Sequence, residues 1–256
     1  MITEPPAPPP PRRADGRSAA RAIEAVKVYG AGDTEVRALD GVDVAFEQGR
    51  FSAIMGPSGS GKSTLLHCLA GLDRLTAGQV FIGEVELSAL SERDLTTVRR
   101  DRLGFVFQSY NLVPTLTALE NITLPLTLAH REAEPGWLRQ VVDAVGLGDR
   151  LTHRPSELSG GQQQRVAVAR ALVARPEVIF ADEPTGNLDS RASGDILRFL
   201  RAAVDDFGQT IVMVTHDPVS AVVADRVVFL EDGRVVDSLE PPDAESIAQR
   251  VHRLGV

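Results

Sequence analysis

The chain predicts an α/β fold built on a parallel sheet, and three features of the sequence carry that expectation. Strand-like and helix-like runs alternate from residue 51 onward. Val178-Ile179-Phe180-Ala181 and Ile211-Val212-Met213-Val214 are apolar at every position, as parallel strands covered on both faces must be. The strand-like segment 51–55 runs into Gly56-Pro57-Ser58-Gly59-Ser60-Gly61-Lys62-Ser63-Thr64 and then into a helix-like segment, 65–71. That strand–loop–helix setting gives the phosphate-loop pattern G-x-x-x-x-G-K-[ST] its meaning.

In chain order, residues 1–20 hold six of the sixteen prolines together with Arg12, Arg13 and Arg17, which predicts an extended, disordered tail. Short strands follow at 23–28 and 42–46, so the sheet is expected to begin before the phosphate loop. Segments 79–82 and 85–87 suit a hairpin, and 103–107 reads as a buried strand ending at Gln108. Residues 109–157 then change character. The stretch 116–122 has helical spacing with Glu120 on its polar side, and 137–145 is a second helix closed by Gly146. A helical subdomain is therefore expected over about 109–165 within a larger domain spanning 21–242. Alternation resumes with a helix at 163–174, a strand at 178–181 ending in Asp182-Glu183, a helix at 193–206 and a strand at 210–215 ending at His216. A hairpin turning at Asp232-Gly233 and a helical extension over 243–256 complete the scheme.

Composition limits the function. Hydrophobic residues make up 43% of the chain, enough for a packed core. No uncharged apolar run approaches the roughly 20 residues a membrane-spanning helix needs, and no secretion signal is expected. A single cysteine, Cys68, allows no intrachain disulfide and suits a reducing compartment. The net charge of −8 argues against a broad electrostatic grip on nucleic acid.

The glycines of residues 56–61 let the backbone curl so that several N–H groups and the positive end of the next helix face one anion. Lys62 adds a mobile cation for phosphates, and Ser63 can offer its hydroxyl to Mg²⁺. Ligands of an open parallel sheet sit beyond the carboxyl ends of its strands, where Gln108, Asp182, Glu183 and His216 also fall. Asp182 suits the acidic Mg²⁺ partner of phosphate-loop hydrolases. Glu183 can take a proton from an attacking water. An Asp-Glu pair after a strand also fits a helix N-cap, and His216 also fits a structural histidine; Gln108 can orient a water or ligate Mg²⁺. Leu158-Ser159-Gly160-Gly161-Gln162 puts a hydroxyl and paired glycines before a helix, which reads either as a second phosphate loop, without a lysine, or as an ordinary N-cap.

These residues resemble the ATP-binding subunit of ABC transporters over nearly all of residues 22–236: the phosphate loop, Gln108, the signature at Leu158 to Gln162, the strand ending in Asp182-Glu183, Asn187-Leu188-Asp189, and His216. The resemblance implies a phosphate-loop NTPase (RecA-like) core with a mixed sheet and a helical signature subdomain. It implies an ATPase using ATP and Mg²⁺, with Glu183, His216 and Gln108 catalytic and Ser63, Gln108 and Asp182 at the metal. It also implies that Tyr29 stacks on adenine and that Asp189 lies between two subunits. The partners implied are a second copy in a head-to-tail dimer, in which the signature of one copy meets the ATP of the other, and a transmembrane permease. The subunit would then be cytoplasmic and peripheral on the inner face of the membrane, with no nucleic acid bound. Tyr110, Leu112, Leu116, Leu119 and Ile122, just after Gln108, are expected to contribute to the permease contact, the other reading being that the leucines are core. Finer wording, such as Phe107-Gln108-Ser109-Tyr110-Asn111-Leu112-Val113-Pro114, resembles the lipoprotein-releasing, macrolide-export and cell-division branch, which favours export or extraction. The rivals are a regulatory or cell-division ATPase that moves no solute, and a soluble ABC ATPase acting on DNA or ribosomes.

Overall fold

The computed structural model describes residues 17–254. In chain order its strands are β1 (Ser18–Tyr29), β2 (Val36–Glu47), β3 (Phe51–Met55), β4 (Ala77–Ile82), β5 (Val85–Glu86), β6 (Leu103–Phe107), β7 (Val178–Asp182), β8 (Ile211–Val214), β9 (Arg226–Glu231) and β10 (Arg234–Leu239). The helices are α1 (Lys62–Leu69), α2 (Glu92–Arg102), α3 (Ala118–Leu128), α4 (Pro135–Ala144), α5 (Gly160–Val173), α6 (Ser190–Asp205), α7 (Pro218–Ala221) and α8 (Ala244–Arg253).

Two sheets result. A six-stranded sheet in the order β10-β9-β3-β8-β7-β6 is parallel except for the antiparallel edge strand β10. The two strands ahead of β3, β1 and β2, do not extend it. They join the 77–86 hairpin in a separate antiparallel sheet, β2-β1-β4-β5. The end expected for the tail at residue 20 also shifts, because Ala19 and Ala20 are buried inside β1. Alanine has little strand preference, so composition alone hides that start. The rest of the expected tail, residues 1–16, lies outside the described residues.

Side chains alternate across a strand, and the six-stranded sheet uses both faces. Ala53, Met55, Ile179, Ala181, Met213 and Phe229 enter one core with residues of α3–α6 and α8. Ile54, Phe180, Val212, Val214, Val228 and Leu230 enter another with Leu65 and Leu66 of α1 and the antiparallel sheet. The central sheet is therefore covered on both sides, which accounts for its uncharged strands.

Helix α3 begins at a capping box. Thr117 Oγ1 accepts from the Glu120 amide at 3.2 Å and Glu120 Oε2 accepts from the Thr117 amide at 2.7 Å, which satisfies two amides the helix itself leaves free. Trp137 pins α4 to its neighbours. Its Nε1 donates to the Val173 carbonyl at 3.1 Å, its ring meets Phe207 edge-on at 4.9 Å, and the Arg175 guanidinium lies 4.7 Å from the ring centroid. Trp137→Ala is expected to cost about 3–5 kcal/mol, the usual loss for emptying a buried aromatic site. Urea unfolding should show a lower midpoint at unchanged slope; an unmoved midpoint would show that the ring anchors nothing.

Candidate active site

β6, β7 and β8 are adjacent and in step, with Asp182 opposite both Phe107 and Val214. β3 lies next to β8. The four chain exits that carry the phosphate loop, Gln108, Glu183 and His216 therefore open on one edge of the sheet.

The phosphate loop leaves β3 and α1 starts at Lys62 itself, so Lys62, Ser63 and Thr64 form its first turn rather than preceding it. Gly59 adopts φ +81°, and a Cβ built there meets nothing within 4 Å. Its backbone demands glycine, and the space beside it is open. Gly61, at φ +98°, would place a Cβ 2.3 Å from the Ala38 carbonyl, so no side chain is admissible. Ser60 Oγ is buried without a hydrogen-bond partner. Lys62 Nζ, nearly buried, donates to the loop carbonyls of Gly56 at 2.8 Å and Pro57 at 2.6 Å. Burial pushes its ammonium below the ordinary lysine value, against the opposing pull of the Glu183 and Asp182 carboxylates. A desolvated cation held by neutral carbonyls beside an open cradle fits a polyanion.

Ser63 Oγ donates to Asp182 Oδ1 at 3.0 Å. These two hard oxygens leave most of an octahedral shell to water and phosphate oxygens, which is how Mg²⁺ is commonly held; the pair fits that ion. The other carboxylate oxygen, Asp182 Oδ2, lies 3.3 Å from His67 Nε2. The Asp182 contact is the largest influence on His67 and pushes its imidazole above the ordinary value against desolvation. His67 is absent from the sequence reading. Its signal was position, since it follows Ser63 by four residues and so shares its helix face.

Glu183 follows β7 with φ +48°, a left-handed conformation that costs a non-glycine residue of order 1–3 kcal/mol. Its Oε1 lies 2.9 Å from His216 Nδ1, so two of the expected site residues form a direct pair. Gln108 is engaged elsewhere: its Nε2 donates to Asn187 Oδ1 at 3.1 Å, and Asn187 Nδ2 returns a bond to the Gln108 carbonyl at 3.0 Å.

Tyr29 stands beside Thr64, with its hydroxyl donating to Asp73 Oδ2 at 2.6 Å. Lys27 binds the other oxygen of Asp73 at 2.6 Å and lies 4.7 Å from the Tyr29 ring centroid. Burial, then the Asp73 bond, pushes the phenol up to about 12. Tyr29 as a residue remains 41% exposed, which leaves it open to a ligand.

Ser159 caps α5 in a second capping box: its amide donates to Gln162 Oε1 at 2.9 Å, and its Oγ accepts from the Gln162 amide at 3.3 Å. The turn lines an open cavity of about 370 Å³ with Asn187, Asp189 and the cations Arg165 and Arg191. Asp189 caps α6, its Oδ1 accepting from the Ala192 amide at 2.8 Å. No residue of the phosphate loop lines this cavity, so a single chain carries the two glycine-rich turns in separate places. Arg165 and Arg191 were missed because each reads as an ordinary polar position of an amphipathic helix.

Of the residues expected to meet a partner, Leu119 is exposed and Leu116 and Tyr110 are half-buried. Ile122 is fully buried and Leu112 packs on the core. The Tyr110 hydroxyl turns toward Gly160. The open apolar groove lies beside them, about 470 Å³ lined by Leu72, Phe107, Leu124, Leu128 and the arginines Arg99 and Arg100. Helical periodicity marks an apolar face without saying whether that face points to the core or to solvent.

Residues 39–186 match the family model described as ABC transporter. The chain is 44% identical over 219 residues to the bacitracin export ATP-binding protein BceA of Halalkalibacterium halodurans, covering 85% of this chain and 87% of that one. It is 45% identical over 241 residues to the macrolide export ATP-binding/permease protein MacB of Marinobacter nauticus; 89% of this chain is covered, but only 36% of MacB. Among solved structures, the dimeric post-hydrolysis state of the ATP-binding cassette MJ0796 bound to ADP and Pi aligns with TM-score 0.79 and 40% identity, covering 88% of this chain and 99% of that one.

Proposed function

This chain belongs to the ABC transporter family as an ATP-binding, ATP-hydrolysing subunit, and from that membership we propose that it powers export or extraction of a lipophilic, peptide or drug-like substrate through a separate permease. The observation that supports the reading best is the convergence of the Lys62 cradle, the Ser63–Asp182 oxygen pair and the Glu183–His216 pair on one edge of the sheet. BceA and MacB are both named for export. No helix among the described residues is long and apolar enough to cross a membrane, which fits a subunit held at the inner face of the membrane by its partner.

Tyr29 stacks on the adenine, and the amides of residues 56–64 with the Lys62 ammonium hold the phosphates. Ser63 and Asp182, with Gln108, would hold Mg²⁺, which would neutralise charge on the phosphate oxygens. Glu183 takes the proton of the attacking water, and His216 orients the Glu183 carboxylate and reaches the terminal phosphate. The terminal phosphate is closed over by Ser159, Gly160, Gly161 and Gln162 of a second copy, with Asp189 at the seam. MJ0796 in its ADP and Pi state is a dimer, which supports this pairing.

The groove beside Leu124 and Leu128 is where the permease docks. Leu128 is 62% exposed, so Leu128→Asp leaves the core intact. It should weaken co-purification with the cognate multi-span permease by about tenfold, the scale of one interface anchor, while ATP binding by the isolated subunit stays at the parent level. Undiminished co-purification would remove the groove from the docking surface.

A further inference from the structure

Gln164 is fully buried in α5, five residues past Ser159. Its Nε2 donates to two backbone carbonyls, those of Phe107 at 3.3 Å and of Pro184. Its Oε1 is buried with no partner. An aliphatic side chain would fill this core position without stranding an acceptor, and a stranded acceptor is costly. The two carbonyls show what the amide holds. Phe107 is the last residue of β6, immediately before Gln108, and Pro184 immediately follows Glu183. Proline brings no N–H to this exit. Glu183 sits there at φ +48°, braced by its own amide on the Val214 carbonyl at 3.0 Å and by the Gly186 amide on its carbonyl at 3.0 Å. Gln164 is the brace that comes from α5.

We propose that Gln164 is a positioning residue that links the two nucleotide sites of the dimer. The N-terminal turn of α5 meets the ATP held by the other copy, and the Gln164 amide, about 7.5 Å farther along the same rigid helix, holds the turn that aims Glu183 at the ATP of its own copy. This rests on the reading of Glu183 as proton acceptor and of Ser159 as the contact to the other copy's nucleotide. When a phosphate seats α5 at one site, the helix carries the Pro184 and Phe107 carbonyls with it. The base at the other site is set only when both nucleotides are present, so hydrolysis is cooperative in ATP.

The test compares steady-state hydrolysis against ATP concentration for the full-length parent and for Gln164→Met. Methionine keeps length and flexibility but has no donor. Loss of two buried bonds to the turn should lower kcat about tenfold while half-saturation stays within about twofold, and the Hill coefficient should fall to that of independent sites. Gln164→Asn keeps an amide but withdraws it by one methylene; it should show the same split at smaller amplitude, and it decides the matter if Gln164→Met does not fold. A merely structural role would reduce the active fraction and leave the Hill coefficient at the parent value, which overturns the proposal. An unchanged kcat in the folded variants overturns it too. If Glu183→Gln hydrolyses ATP at the parent rate, the underlying reading has failed. If Glu183→Gln is inactive while both Gln164 variants keep parent kcat and cooperativity, the link alone has failed.

Discussion

Glu183→Gln is expected to lower ATP turnover by about 10² to 10⁴, the usual loss for a positioned base, while ATP still binds. The amide has the shape of the carboxylate, and its oxygen can keep the contact that Glu183 Oε1 makes with His216 Nδ1 at 2.9 Å. It cannot take a proton. Lys62, Ser63 and Asp182 are untouched, so the grip on the phosphates persists and the bound nucleotide should hold two copies together. Size exclusion with ATP should show a stable dimer for the variant at concentrations where the parent cycles back to monomer. Hydrolysis at the parent rate would show that another group accepts the proton. A variant that is inactive because it no longer binds ATP would assign Glu183 to the grip on nucleotide instead.

Much of this site was legible because its residues are adjacent in sequence or follow strand ends. A strand–loop–helix pattern places Lys62 and Ser63 without any tertiary information, and uncharged runs reveal buried parallel strands, whose ends then point to Gln108, Glu183 and His216. Pairing between distant strands is different. β1 lies between β2 and β4, and nothing in its alternation says that it closes a sheet of its own. α2 was overlooked because only Leu95 is buried along it, so it has almost no apolar stripe; Ser91 capping the Asp94 amide at 3.2 Å was the available cue. Gln164 and His67 carry no motif of their own, and their meaning comes from carbonyl and carboxylate partners supplied by other strands. Ile122 was misplaced on the partner surface for a related reason, since the spacing that marks it as apolar fits a core face as well as an exposed one.

The central claim is that each nucleotide is held by the phosphate loop of one copy and the signature of the other, and complementation between two defective chains tests it most directly. Lys62→Ala removes the only side-chain cation of the phosphate loop, and Ser159→Arg fills the cavity in front of α5 with a bulky side chain. Each homodimer should be inactive. In a mixed dimer the two-fold arrangement puts both lesions in one site and leaves the other intact. Random mixing at equal amounts makes about half the dimers mixed, each with one good site of two, so roughly a quarter of all sites should be restored. The same mixture is prepared in a Glu183→Gln background and read as trapped ATP, because turnover in one site can depend on the other. With subunit exchange demonstrated, trapped ATP should reach about that quarter, while hydrolysis stays low because the damaged site holds no second nucleotide to set the base of the intact one. If trapped ATP does not rise above the separate mutants, every chain is carrying its own lesion, and the shared site is wrong for this protein.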